Sequence, residues 1–208
     1  MSLLEVVGAA VGDERVPALP PFSAALSPHR ASYAAAEGER GPLLASLVAA
    51  GRMRPDRGAV LLDGDEDPGR LRRAVALVDT AVVAEPAAFL PVTTVVREEL
   101  RFAGRRGGRA ESLARLTELG LERWARAPIT DLPPTDRVRL LLALAALRDG
   151  VRVLVLTSPE RHGGPAAGWR ALAEESTARG FPVLVIGGAA VPESVPAAAA
   201  AAPAGSPR

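Results

Sequence analysis

The sequence predicts an α/β protein: a mostly parallel sheet flanked by helices, with antiparallel strands near the amino end and a small helical subdomain over residues 94–134. Three observations carry that prediction. The segments "VRVLVLT" (151–157) and "FPVLVIGG" (181–188) are near-continuous apolar runs, as in strands buried on both faces. Between them "AAGWRALAEESTARG" (166–180) reads as a helix, and a strand–helix–strand unit closes in parallel. From Thr94 to Ala127 the apolar spacing changes to three and four residues, the helical period.

The elements follow in order. "LLEVVGAAV" (3–11) reads as a first strand, and "PPFSAALSPHRASYAAAEG" (20–38) as two short strands around the turn "SPH". "PLLASLVAAG" (42–51) is a helix. Pro42 falls in its first turn, where a missing N–H is tolerated, and Gly51 stops it. "GAVLLDG" (58–64) and "AVALVDTAVVAEP" (74–86) supply further strands around polar breaks. "TVVREELRFAG" and "AESLARLTELGLERWARA" are helices. After the break "APITDLPP", "TDRVRLLLALAALRDG" (135–150) is apolar on most of its surface and predicts a buried helix. Residues 1–190 read as one folded unit. The tail, 191–208, has no pattern that could bury a face and is expected to be disordered.

Composition narrows the function. The 208 residues contain no cysteine, which removes disulfides, thiolate nucleophiles and cysteine-ligated metal. Every basic residue other than histidine is an arginine. A net charge of +1 gives no field for nucleic acid, and "RFAGRRGGR" (101–109), flanked by Glu98, Glu99 and Glu111, reads as a solvated helix end and loop. No apolar run reaches the ~18 residues that span a bilayer, and no basic stretch precedes an apolar core at the start, so a cytoplasmic protein is expected. Ser158 precedes His162, but without a Gly-x-Ser-x-Gly elbow. His29 and His162 stand apart from each other and from carboxylate pairs at ligand spacing, so no metal site is expected. Trp124 and Trp169 lie on apolar helical faces and read as core.

The order of pieces resembles the nucleotide-binding domain of ATP-binding cassette (ABC) transporters, a P-loop NTPase fold, over residues 3–190. "RPDRGAVLLDG" (54–64) looks like the strand that follows the phosphate-loop helix. "VVAEPAAFLPVTTVVREELRFA" (82–103) is similar to the Q-loop segment, and "ITDLPPTDRVRLLLALAAL" (129–147) to the LSGGQ signature with its helix. "VRVLVLTSPE" stands in place of the Walker B strand, "HGGP" (162–165) of the D-loop, and "VLVIGG" (183–188) of the strand before the switch histidine.

The chemical letters differ from that family. A phosphate loop GxxxxGK[ST] works through backbone N–H groups, a lysine on the phosphates and a hydroxyl on Mg²⁺. In "AEGERGPL" (36–43) only Gly41 matches: Ala36 replaces the first glycine, Pro42 the lysine and Leu43 the hydroxyl. The Walker B aspartate and glutamate become Thr157 and Ser158, neither able to act as a base near neutral pH. The Q-loop glutamine becomes Glu85, with no visible partner. "LPPTD" (132–136) replaces the signature, and Gly188 the switch histidine. Only Arg139, Ala143 and the apolar helix after the signature keep the family's letters.

The resemblance therefore implies a pseudo-ATPase: no catalytic residue, no resident metal, and ATP with Mg²⁺ only as the family's cofactors. It would work through a membrane subunit, docked by the segment "AEPAAFLPVTTVV" (84–96) with Glu85 and exposed Phe89 and Leu90 as anchors. That would place it peripherally at the inner face of the cell membrane. The alternative is a sensor that binds ATP or ADP without hydrolysis through Gly38, Arg40 and Gly41. Pairing as a homodimer or heterodimer is open. Intact hydrophobic periodicity argues against a decaying paralogue, whose buried strands would acquire charges.

Overall fold

The computed structural model describes residues 3–188; the predicted disordered tail, 191–208, lies outside them. Strand β1 (Leu4–Gly12) pairs antiparallel with β2 (Pro17–Leu26) on one side and β4 (Arg57–Leu62) on the other. Leu4 stands opposite both Leu26 and Leu62. The second sheet is parallel, in the order β3 (Ser32–Ala35), β7 (Val183–Gly187), β6 (Val153–Thr157), β5 (Val75–Val78). The two strands predicted around "SPH" are β2 and β3, and they belong to different sheets.

Helix α1 (Gly41–Ala49) packs against strands of both sheets, with Ala45, Val48 and Ala49 fully buried. Strand alternation then sorts the core. Val153, Val155, Leu184 and Ile186 join Leu4, Leu26, Leu62 and α1 on one face of the parallel sheet. Leu154, Leu156, Val183 and Val185 point the opposite way, into α3 (Val92–Phe102), α5 (Pro134–Ala145) and α6 (Ala166–Ala178). Each fully buried Leu or Val is worth about 1.5–3 kcal/mol relative to exposure, so both faces of this sheet hold the fold together. Trp169 is buried in the second core and Trp124 packs at its margin, as predicted.

The helical subdomain consists of α3, α4 (Arg109–Glu118), single 3₁₀ turns at 122–124 and 129–131, and the start of α5. Its entry and exit are tied together, Val92 N–H donating to Ala127 at 2.9 Å and Ile129 N–H to Leu90 at 2.8 Å.

Three local predictions fail. The helix expected over 110–127 ends at Glu118, because Gly120 turns the chain at φ +69°. The strand expected through residues 82–86 is a turn: Asp79 and Val82 adopt positive φ (52° and 66°), ending β5 at Val78, and Val82 is 95% exposed. A short helix, α2 (Pro68–Ala74), fills a polar stretch between strands. Its cap Asp67 accepts from the Gly69 N–H at 2.7 Å, a local bond that hydrophobic periodicity does not encode.

Candidate functional site

The carboxyl ends of parallel strands are where open α/β sheets bind ligands. Here that edge brings together Ala36 after β3, Asp79 and Thr80 after β5, Thr157 and Ser158 at β6, and Gly188 after β7.

The loop into α1 keeps its turn. Gly38 adopts φ +85°, and the Gly41 N–H donates to the Gly38 carbonyl at 3.1 Å. The backbone is tight at Gly41, where a Cβ would lie 2.9 Å from the Ala36 carbonyl oxygen. Pro42 is buried in the first helical turn and supplies no N–H; Arg40 precedes the helix, exposed, without a side-chain cap bond.

Beside this loop lies a buried hydroxyl chain. Thr157 Oγ1 donates to Ser46 Oγ at 2.8 Å and lies 2.7 Å from Thr80 Oγ1, and all three residues are buried. The end of β6 thus carries a neutral group already bonded on both sides.

Next to it sits an ionic cluster that no sequence motif announces. The Asp79 side chain is fully buried and accepts from Arg137 twice, Nε at 3.0 Å and Nη2 at 2.7 Å. Arg161 Nη2 donates to the Asp79 carboxylate at 3.1 Å and to its carbonyl at 2.8 Å. His162 Nε2 stands 2.8 Å from Asp79 Oδ2 and 3.0 Å from Arg161 Nε. One nitrogen can donate to the carboxylate or accept from the guanidinium, not both, and the buried charge favours donation. Burial alone would raise the Asp79 carboxyl. Hydrogen bonds from His162 and Arg137, with the Arg137 charge, outweigh it and hold the group far below the usual carboxylate range.

This cluster corrects two expectations. Glu85 does have partners, Arg161 at 3.1 Å and Arg137 at 3.6 Å. His162 is not isolated from carboxylates: ligand atoms of Asp79, Glu85 and His162 all lie within 4.8 Å of one another. That spacing could suit a cation, but Arg137 and Arg161 already hold both carboxylates, and two acids with two guanidiniums leave no net negative charge to attract one. Ser158, at φ +46° after β6, makes no side-chain hydrogen bond among the described residues. Glu160 accepts from the Gly188 N–H at 3.0 Å through Oε1, while its Oε2 is buried without a partner.

No protein-family model and no curated protein matches the sequence. Solved structures do match. A nucleotide-free ATP-binding cassette from an ABC transporter superposes with TM-score 0.63 at 16% identity, covering 91% of this chain and 82% of that one. The cbiO1 protein of Clostridium perfringens, part of the ABC transporter complex cbiONQ, gives 0.61 at 17%, covering 90% and 78%. A dimeric bacterial ABC transporter cassette gives 0.61 at 17%, covering 88% and 87%. The fold is that of an ATP-binding cassette.

Within the cassette fold, the residues at the carboxyl edge do not fit magnesium–triphosphate. Pro42 supplies neither a cation nor an N–H, Leu43 supplies no hydroxyl, and the Gly41 N–H is already bonded inside the loop. Thr157 offers a divalent cation no charge and is engaged on both sides. At the start of α5, Pro133 and Pro134 supply no N–H donors, and Asp136 bonds Arg139 at 3.0 Å.

The cassette's core and helical subdomain leave a groove of about 590 Å³ between them, lined among others by Leu77, Val83, Glu85, Leu90, Val95 and Phe102. Phe89 beside it is 78% exposed and Phe102 74% exposed. Leu90 departs from expectation: it is half-buried, packed on the helical core by the turn that ties it to Ile129. No helix among the described residues is long and apolar enough to cross a membrane.

Proposed function

We propose that this chain is a cassette-fold subunit of the ABC transporter kind that does not hydrolyse ATP. It acts from the cytoplasmic side by docking on a membrane subunit, peripherally at the inner face of the membrane. The observation that carries the reading is Thr157: the position that would hold the metal is a neutral, buried hydroxyl bonded to Ser46 and Thr80. Phosphoryl transfer depends on positioning and charge neutralisation, and each missing group removes ~10²-fold or more. With the lysine, hydroxyl, aspartate, glutamate and histidine positions all changed, turnover by this chain falls to background.

The exposed Phe89 and Phe102 at the groove support docking, since large apolar side chains at such a rim mark interaction sites. The sensor reading through Gly38, Arg40 and Gly41 draws less support, because the Gly41 amide bonds Gly38 within the loop.

Three experiments test the proposal. Purified protein should release phosphate from ATP at a rate unchanged by Gly41→Asp; a rate abolished by that substitution sinks it. Ligand at 100 times its Kd adds about 2.7 kcal/mol of stability, so a flat melting curve at millimolar ATP removes the sensor. Docking is tested by co-purification of an integral membrane protein with the tagged chain, which Phe89→Ala with Phe102→Ala should reduce sharply.

A further inference from the structure

The amino edge of the parallel sheet, opposite the end that holds Asp79, carries a cavity of about 390 Å³ lined by Arg52, Arg72, Arg73 and Arg148. Val75, the first residue of β5, and Val151, just before β6, fix its place. Strand β5 runs on to Val78, about 10 Å away at ~3.3 Å per residue. One carboxylate, Asp149, lines the cavity against the four guanidiniums. Arginines gather here because three helices end nearby. Arg72 and Arg73 stand in the last turn of α2, Arg52 follows α1, and Arg148 follows α5.

Capping of those helix ends accounts for only part of the cluster. A helix carboxyl end favours cations through roughly half a negative charge and its free carbonyls. Arg52 donates to the Val75 and Ala50 carbonyls at 3.2 and 3.4 Å, and Arg72 to the Gly51 carbonyl at 3.2 Å. Each of these bonds uses Nη1, so Nε and Nη2 of both residues have no acceptor among the described residues. The Arg73 side chain makes no hydrogen bond or ion pair among them. Arg148 pairs with Glu99 at 2.7 Å through Nη2, yet its Nε is buried without a partner. Counting Glu99 with Asp149, two carboxylates face four guanidiniums. Burial, then the Arg148 and Arg72 charges, depress Arg52 below its ordinary value, so these cations sense one another.

A guanidinium presents its N–H groups as a planar fork that matches phosphate oxygens two at a time. Several such forks around one small cavity suit a compact ligand with many negative oxygens; a single carboxylate would leave most of these donors unmet. The buried Val75, Ala76 and Ala103 also line the cavity, which makes it a recess for a small molecule and not a flat charged patch.

We propose that the Arg52–Arg72–Arg73–Arg148 cavity binds a small soluble anion carrying two or more linked phosphoryl groups. The site is independent of the docking reading. It also lies across the sheet from the loop with Gly38, Arg40 and Gly41, so a ligand held here is not held by that loop.

Titration calorimetry of the full chain with inorganic pyrophosphate, at constant ionic strength set by chloride, tests the site. One saturable event is expected. Arg72→Gln with Arg73→Gln should weaken it about tenfold or more. Arg73→Gln alone should weaken it without lowering the melting temperature of the free protein, because that side chain makes no internal bond. Arg40→Gln should leave binding unchanged. Absence of saturable binding at millimolar pyrophosphate overturns the proposal, as does binding that the Arg72 and Arg73 changes do not weaken. Binding lost on Arg40→Gln moves the anion to the loop before α1 and overturns it too, reviving the sensor. Retention on phosphatidylcholine vesicles containing phosphatidic acid, dependent on Arg72 and Arg73 but without pyrophosphate binding, assigns the cations to a membrane surface and likewise overturns it.

Discussion

Arg137, in the first turns of α5, reaches the fully buried carboxylate of Asp79 at the end of β5 and bonds it through two nitrogens, at 2.7 and 3.0 Å. This pair joins the parallel sheet to the helix that follows the helical subdomain. Arg161 and Glu85 extend the network to the segments after β6 and β5. These charges fasten the carboxyl edge of the parallel sheet to α5 directly.

The first prediction follows from the cost of an orphaned buried charge. Asp79→Asn should destabilise the protein by about 3–5 kcal/mol, because Arg137 loses its partner while still buried. Replacing both, Asp79→Leu with Arg137→Met, should recover much of that loss. Urea unfolding of the three variants measures it; a loss below about 1 kcal/mol in Asp79→Asn would remove the fastening role.

Acid should reveal the same pair. The folded carboxyl of Asp79 sits far below its unfolded value of about 3.9, so its contribution is fully present above that value. It is lost as pH falls below about 4 toward the folded pKa. The stability gap between wild type and Asp79→Asn should therefore narrow as pH falls below about 4. Asp63 is also depressed, first by its hydrogen bond from Arg152, but that pair is exposed and should contribute little. Denaturation midpoints across pH would show the narrowing, and a gap that widened in acid would contradict it.

Thr157 is the middle of the hydroxyl chain. Thr157→Val keeps the shape and strands both Ser46 and Thr80 without that partner, at an expected cost of about 1–3 kcal/mol. The double change Thr157→Val with Ser46→Ala should cost less than the sum of the singles. Additive losses in a double-mutant cycle would show that the bond has no weight.

Two glycines separate backbone strain from close approach. Gly58 in β4 has φ +77°, and a Cβ there would lie 2.3 Å from the Val7 carbonyl oxygen, at the register shift of β1. Gly38 has φ +85° with nothing within 4 Å of its Cβ position. Gly38→Ala should cost on the order of 1 kcal/mol from φ alone. Gly58→Ala should cost several-fold more and disrupt the β1–β4 pairing. Equal melting temperatures for the two variants would count against this reading.

Much of the fold was legible because burial imposes a period. Val153 to Thr157 and Val183 to Gly187 are buried at every position, and their unbroken apolar runs say so directly. The turn after β5 was misread because "TAVVAE" has strand composition, and only its exposure shows that no neighbour covers it. Leu90 and Phe89 are adjacent and equally apolar, so nothing local separates the half-buried residue from the exposed one.

The sequence by itself determined the alternation of strands and helices, the parallel sheet, and the residue types at the loop and strand end in question: Pro42, Leu43, Thr157 and Ser158. Those are statements about residue type and period, which lie in consecutive letters. Tertiary structure alone decided what occupies the edge instead. Asp79 meets Arg137 across 58 residues and Arg161 across 82, and Thr157 meets Ser46 across 111. Side-chain bonds of that range follow from where strand ends converge, so no window of sequence can contain them.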